Sequence, residues 1–420
     1  MSNIAASIIT IGDELLIGQV IDTNSAWIAR HLNELGIDVL RRVAVGDEKE
    51  AIVNALNEEM RIASLVIVTG GLGPTADDIT KPLLNEYFGG KMVVNEQVLN
   101  HVKDMMTRRN RPFLERNLKQ AEVPDVCTVL FNRMGSAPGM WFEKDGKVVV
   151  SLPGVPFEMV SIMEHEVLPR LEQRFTSDAL LHRTIITAGE GESFIAEKIK
   201  DIEESLPAHI RLAYLPGSGM VRLRLTGRGY DKEKLNDELK LKQQEIADRL
   251  GKIVIALEDV TLEQVLGKWF SENKATLGLA ESCTGGYVAH HITQVMGSSD
   301  YFVGSIVCYS NDMKTGLLGV RPETIEQYGA ISEQTVTEMV SGTLKVLNVD
   351  HAFAVTGLMS EGGESDRTEV GTVWMAVANK DAIKTRKFWF PYDRVRNKEM
   401  TVSMGMLMIW KFINETGQTS

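Results

Sequence analysis

Twice along the chain, short apolar runs alternate with stretches of helical spacing, and this rhythm restricts the fold more than any single motif does. In the first segment it predicts strands at Ala5 to Thr10, Val39 to Ala44, Leu65 to Thr69 and Val148 to Leu152, with helices over Thr23 to Gly36 and Lys49 to Arg61. Buried strands alternating with helices give a parallel sheet covered on both faces. The rhythm returns at Thr261, where the capping box Thr261-Leu262-Glu263-Gln264 opens a helix. Strands follow at Ala275 to Ala280, Tyr301 to Tyr309, Ala352 to Thr356, Gly371 to Ala378 and Thr385 to Pro391, with helices at Tyr287 to Val295, Glu333 to Leu347 and Lys398 to Asn414. Between the two segments the order is strand, helix, strand, strand, helix, strand, with Pro216-Gly217-Ser218-Gly219 turning the central hairpin. The expected fold is therefore α/β: two three-layer α/β/α domains with mostly parallel sheets, residues 1–175 and 259–420, joined by a small ferredoxin-like α+β domain, residues 176–258.

A chain of 420 residues, 44% hydrophobic and 24% charged, is ordinary globular material with no apolar run long enough for a membrane span. Its N-terminus lacks a basic region before the first strand, so no signal peptide is expected and the cytoplasm is the expected compartment. Cys127, Cys283 and Cys308 have no paired metal-ligand spacing and read as free thiols. A net charge of −12 opposes broad binding to nucleic acid or to anionic membrane. A phosphate ligand would have to be met by backbone amides, a few placed Arg or Lys, or a bound cation.

Two strand ends in the first segment carry suitable residues. One is Gly12-Asp13-Glu14, the other Gly70-Gly71-Leu72-Gly73-Pro74-Thr75-Ala76-Asp77-Asp78. In a parallel sheet such ends converge on one edge, where ligands bind. The glycines admit a phosphate close to the backbone, the Thr75 hydroxyl can donate, and Asp77 or Asp78 can hold a hard cation. Neither a Walker lysine nor G-x-G-x-x-G is present. Helix caps in a generic α/β domain are the alternative reading.

In the second α/β segment, Ala280-Glu281-Ser282-Cys283-Thr284-Gly285-Gly286 puts a hydroxyl and a thiol at a strand-to-helix turn. Ser282 near a helix N-terminus is a candidate nucleophile, and an ordinary N-cap followed by turn glycines is the alternative. Cys283 competes for the role through its sulfur, but has no catalytic His beside it except the pair His290-His291 on the next helix, and reads better as packing.

The blocks IGDELLIGQVIDTNSAWIARHL, VGDE, VTGGLGPTADDIT, NRMGSAPG and LPGVPFEM resemble the molybdopterin-binding-type domain of the CinA family, the competence/damage-inducible proteins. LAESCTGG, YSNDMK, VTG and VGTVWMAVA resemble that family's C-terminal nicotinamide-nucleotide amidase domain. The resemblance implies a bifunctional hydrolase of pyridine-nucleotide salvage. Its N-terminal domain would split ADP-ribose into AMP and ribose 5-phosphate with a divalent cation (Mg, Mn or Co) and potassium. Its C-terminal domain, without a cofactor, would deamidate nicotinamide mononucleotide.

On that resemblance Asp78, with Asp77, Asp13 and Glu14, would hold the metal and activate water, and Gly12, Gly70, Gly71, Gly73 and Thr75 would cradle phosphate, with Asn24 and Gly154 as further contacts. In the amidase, Tyr309 and Lys314 would serve Ser282, Lys314 as general base provided its neighbours lower its pKa. Thr284, Gly285 and Gly286 would donate to an oxyanion or phosphate, Thr356 would contact substrate and Arg394 would bind the nucleotide phosphate.

One departure stands out. Where the family carries a TGIAGPGGG-type loop, this chain has Thr356-Gly357-Leu358-Met359-Ser360-Glu361-Gly362-Gly363-Glu364, and Lys398 replaces an expected second arginine. Glu361 and Glu364 would bring negative charge toward the nucleotide. A pyrophosphatase with a nucleotide-binding regulatory domain, and a non-hydrolytic pterin scaffold, are therefore the alternative functions. The expected partners are these nucleotides, with neither nucleic acid nor membrane, in a homodimer.

Overall fold

The computed structural model of the protein describes residues 4–75, 78–175, 179–217, 219–229, 231–361 and 368–416. The chain divides into two compact units, Met1–Leu181 with Gly227–Asp237, and His182–Thr226 with Glu238–Ser420.

The first unit runs β1 (Ala5–Ile11), α1 (Asp13–Leu16), α2 (Thr23–Glu34), β2 (Asp38–Val45), α3 (Lys49–Ile62), β3 (Leu65–Thr69), α4 (Thr80–Phe88), β4 (Met92–Val94), α5 (Glu96–Arg108), α6 (Glu115–Ala121), β5 (Glu122–Pro124), β6 (Thr128–Leu130), β7 (Gly139–Lys144), β8 (Lys147–Leu152), α7 (Pro156–Ile162) and α8 (Leu168–Arg174). Its six-stranded sheet has the order β2-β1-β3-β8-β7-β6. β1, β2, β3 and β8 are mutually parallel, and β7 runs against both neighbours. Because β3 is buried at every residue, its sequence LVIVT is apolar without alternation. One sheet face packs Ile8, Ile67 and Val150 on Ile28 and Leu32 of α2 and Ile162 of α7. The other packs Ile9, Val68 and Phe142 on Ile52 and Leu56 of α3 and Leu84 of α4, which makes three layers.

The middle segment runs β9 (Ala179–Ala188), α9 (Glu192–Glu204), β10 (Ile210–Gly217), β11 (Met220–Gly229), α10 (Lys232–Leu250) and β12 (Val254–Ala256). Its sheet order, β10-β11-β9-β12, is that of a split βαβ arrangement, as the sequence predicts. Ala188, Met220 and Ile255 of this segment pack into the core cluster that includes the last helix. Arg222 pairs with Asp259 at 3.1 Å.

The remainder runs α11 (Leu262–Asn273), β13 (Leu277–Glu281), α12 (Tyr287–Thr293), β14 (Phe302–Val307), α13 (Asn311–Leu318), α14 (Pro322–Tyr328), α15 (Glu333–Leu347), β15 (His351–Gly357), β16 (Thr372–Asn379), β17 (Ile383–Trp389) and α16 (Arg394–Thr416). In the sheet β14-β13-β15-β16-β17 the first three strands are parallel, and β16 runs against β15 and β17. Leu266 and Phe270 of α11 and Ile409 and Phe412 of α16 cover one face, each wholly buried and worth about 1.5–3 kcal/mol of apolar transfer. Val336 and Val340 of α15 cover the other face, against a floor of small residues, Ala352, Ala354, Ala376 and Ala378. α13 and α14 were not expected. They are short, and their starts are set by the Ser310 side chain accepting from the Met313 amide and by Pro322 at the first helical position. The last helix begins at Arg394, earlier than predicted, because Asp393 accepts from the Val395 and Arg396 amides.

At the start of β15, His351 lies among Trp269, Phe270 and Phe412, and its Nδ1 is buried without a partner. Burial holds the imidazole below its ordinary value, opposed by the Asp350 charge. The unfolded chain therefore binds this proton more tightly, so stability is full above about pH 6.5 and declines as pH falls below it. Urea midpoints measured at pH 7.5, 6.0 and 5.0 are expected to fall less for His351→Phe than for the unaltered chain.

Candidate functional sites

The parallel strands of the C-terminal sheet end on one edge, and there a cavity of about 410 Å³ opens between Ser282, Tyr309, Lys314, Thr356, Met359 and Arg394. Ser282 follows β13 directly, and its amide donates to the Val355 carbonyl at 3.0 Å, which ties the turn to β15. Lys314, 2% exposed, enters from the first turn of α13 and donates to the Tyr309 carbonyl at 3.3 Å. Tyr309 is 61% exposed at the mouth. Arg394 spans it, donating to the Tyr309 hydroxyl at 3.1 Å and to Ser360 at 3.0 Å. The Thr356 hydroxyl donates to the Ala330 carbonyl at 2.9 Å. Thus five of the residues singled out in this domain share one cavity.

The donors expected after Ser282 are spent elsewhere. Glu281, wholly buried, accepts from the Thr284 hydroxyl at 2.8 Å and from the Gly286, Val288 and Ala289 amides at 3.1, 2.9 and 2.9 Å. It also accepts from the Ser305 hydroxyl at 3.0 Å. The Gly285 amide donates to the Ser282 carbonyl. The start of α12 is therefore capped by a carboxylate, and Thr284, Gly285 and Gly286 do not line the cavity. Glu281 escaped the sequence reading, although a carboxylate just ahead of a helix start is itself a capping signal.

Cys283 also lines the cavity, but burial pushes its thiol up to about 12 against the opposing Lys314 and Arg394 charges, so at neutral pH it holds its proton. His291 lies against Glu263 at 2.9 Å, not at the cavity. In the altered loop, Glu361 is exposed and lies outside the cavity lining, Met359 forms part of the wall, and Gly362, Gly363 and Glu364 lie outside the described residues. The Lys398 ammonium lies 5.2 Å from the Tyr287 ring centre rather than at the cavity. Asn397, fully buried, ties the loop to α16 by donating to the Met359 carbonyl at 3.2 Å.

In the first unit a second cavity, of about 340 Å³, lies at the ends of β1, β3 and β8. Gly12, Glu14, Gly70, Gly71, Gly73, Asp78 and Gly154 line it, as do Asp47, Gln120, Ser136 and Glu158, which the sequence reading missed. Gly70 must be glycine: its φ is +119°, and a Cβ would lie 2.2 Å from the Ile11 carbonyl oxygen. Lys81 fixes the segment that carries Gln120. Its buried ammonium donates to the Lys119, Gln120 and Glu122 carbonyls, and burial lowers its pKa to about 8.

Several expected roles here change. Both Asp78 oxygens serve the loop, accepting from the Gly73 amide at 2.7 Å and from the Thr75 amide and hydroxyl, so the Thr75 hydroxyl is spent too. Asp13 and Asp47 clasp one another, each carboxylate accepting from the other's amide. Asn24 is buried and donates to Thr69 at 3.1 Å and to the Gly154 carbonyl at 2.8 Å, so it positions the turn without lining the cavity. Asp77 lies outside the described residues. Among the described residues no three His, Cys, Asp or Glu side chains are grouped to hold a metal ion.

Among the described residues, no helix is long and apolar enough to cross a membrane. Family comparison matches residues 7–173 to the probable molybdopterin binding domain, 182–256 to the damage-inducible protein CinA KH domain and 259–413 to the CinA C-terminal domain. A CinA-like protein of Flavobacterium psychrophilum is 43% identical over 97% of this chain and 98% of its own. One of Cytophaga hutchinsonii is 42% identical over 95% and 96%. A crystal structure of a CinA superfamily protein from Klebsiella pneumoniae is 28% identical over 37% of this chain and 96% of its own, with a TM-score of 0.36.

Proposed function

The chain belongs to the CinA family, and from that premise we propose that it is a bifunctional hydrolase of pyridine nucleotides. The C-terminal cavity deamidates nicotinamide mononucleotide, and the N-terminal cavity cleaves ADP-ribose to AMP and ribose 5-phosphate. The observation that carries the first activity is the shared lining of one cavity by Ser282, Tyr309, Lys314 and Arg394. Ser282 Oγ attacks the carboxamide carbon while Lys314 takes the hydroxyl proton and returns it to the departing nitrogen. Ammonia leaves, and water then hydrolyses the ester to release the acid and restore the serine. Arg394, hydrogen-bonded to the hydroxyls of Ser360 and Tyr309 at the mouth, binds the nucleotide phosphate.

The second activity is supported by the glycine-lined cavity at the strand ends, whose backbone admits a pyrophosphate. A divalent cation there, and potassium, would arrive with the substrate phosphates, and Glu14 in the cavity lining would share it, as hydrated magnesium-type ions use one or two carboxylates. No chemical step is assigned to it. The middle segment carries no G-x-x-G loop of the sort that clamps nucleotides in KH domains, which favours a spacer role over nucleic-acid binding.

Purified full-length protein is expected to release ammonia from nicotinamide mononucleotide and AMP from ADP-ribose. Absence of either product withdraws the corresponding half of the proposal. Arg394→Ala is expected to raise KM for the mononucleotide about 10- to 100-fold with a smaller change in kcat, as loss of a charged hydrogen bond predicts. Turnover of the riboside, which lacks the phosphate, should be nearly unaffected. An equal loss on both substrates would argue against phosphate binding.

A further inference from the structure

Two sequence blocks of the first unit, Asn132 to Gly139 and Leu152 to Met159, of which only Gly154 has a role above, meet on one wall of the N-terminal cavity. Asn132 is 2% exposed and spends its whole amide. Its Oδ1 accepts from the Met134 and Gly135 amides at 3.0 and 2.9 Å. Its Nδ2 donates to the Ala137 carbonyl at 2.8 Å and to Glu158 Oε2 at 2.7 Å. Gly135 makes room for this pair, since a Cβ there would lie 2.0–2.3 Å from the Glu158 carboxyl atoms. Glu158 stands in the first turn of α7 and lines the cavity. Its Oε1 accepts a hydrogen bond from no described residue.

The carboxylates of this cavity are thus not equivalent. Asp78 is consumed by its own loop, and Asp47 holds Asp13. Glu158 has one oxygen fixed by a buried amide and one that accepts from no described residue, and burial raises its pKa against the Asn132 hydrogen bond and the Arg109 charge. A carboxylate shifted toward neutrality and held in one rotamer is suited to proton transfer.

We propose that Glu158 is the general base of the N-terminal reaction and that Asn132 is its positioning residue. The proposal rests on the reading of this cavity as a site of pyrophosphate cleavage. Glu158 takes a proton from water as the water oxygen bonds to one phosphorus. The bridging P–O bond breaks, its electron pair stays on the departing phosphate, and the carboxyl proton is then lost to solvent. Two phosphomonoesters result, with no other reactant consumed.

The test uses full-length Glu158→Gln, which keeps the side-chain size and an acceptor for Asn132. Its kcat for AMP release should fall about 10²- to 10⁴-fold, with KM for ADP-ribose within about threefold, an unchanged melting transition and loss of the acid limb of the kcat/KM profile. Asn132→Ser removes a hydrogen bond that favours the ionised carboxyl, so the acid limb should move to higher pH. Near-normal kcat in Glu158→Gln with the acid limb intact overturns the proposal, as does an unmoved limb in Asn132→Ser. If the unaltered protein binds ADP-ribose but releases no AMP, the underlying reading fails and the general base falls with it.

Discussion

Ser282→Ala is expected to abolish ammonia release from nicotinamide mononucleotide, by about 10³-fold or more, while AMP release from ADP-ribose continues at the unaltered rate. Loss of the nucleophile from a serine hydrolase leaves only binding and polarisation, and the residual rates are small on that scale. Ser282 is held by the link between its amide and Val355, in a cavity it shares with Lys314 and Tyr309. The neighbouring thiol supplies the control. Cys283 holds its proton at neutral pH, so Cys283→Ala is expected to cost less than about tenfold in rate, through packing alone. A full loss of turnover in Cys283→Ala, with Ser282→Ala near normal, would reverse the assignment.

Glu281→Ala is expected to be the most damaging single substitution in the second unit. It strips the partner from two hydroxyls and three backbone amides in a site where Glu281 is wholly buried. An unpaired buried donor costs about 1–3 kcal/mol, and water will recover part of the total, so a loss of about 3–5 kcal/mol is expected. Urea unfolding followed by tryptophan fluorescence will measure it. Glu281→Gln should lie between, because its amide group presents donors where Ala289 and Ser305 also donate. Deamidation should fail in both, because the turn that carries Ser282 is anchored by the same carboxylate. A stable, active Glu281→Ala protein would show that Glu281 does not hold this turn.

How much of this was legible in the sequence depends on how local the cause was. Strands such as β3 and β15 are buried on both faces, so their apolar runs announce them, and α15 was read to the residue from its periodicity. α13 and α14 are about two turns each, too short for periodicity to register, and the Ser310 cap of α13 lies inside the YSNDMK motif. That Ser282, Tyr309, Lys314, Thr356 and Arg394 belong together was implied by the family resemblance of their motifs, and all five line one cavity at the ends of the parallel strands. What failed were judgements about which donors are free. Nothing local to Gly286 says that Glu281 folds over it, and nothing local to Asp78 says that Gly73 and Thr75 will occupy its oxygens. Glu158 was hidden for the same reason, since Asn132, which holds it, is separated from it by the whole β7–β8 hairpin.

The seam between the middle segment and the last helix limits how the polypeptide can be cut. Severing it after Glu258, where the sequence rhythm changes, would pull Ala188, Met220 and Ile255 away from α16 and bare Met404, over which the Gly219 turn lies, to water. Such a fragment would carry a freshly skinned greasy stripe along its longest helix and would tend to clump for reasons unrelated to its chemistry. A break ahead of Ala179, where β9 begins, leaves that stripe clothed, so a half-protein meant to report on deamidation alone should keep the small sheet attached.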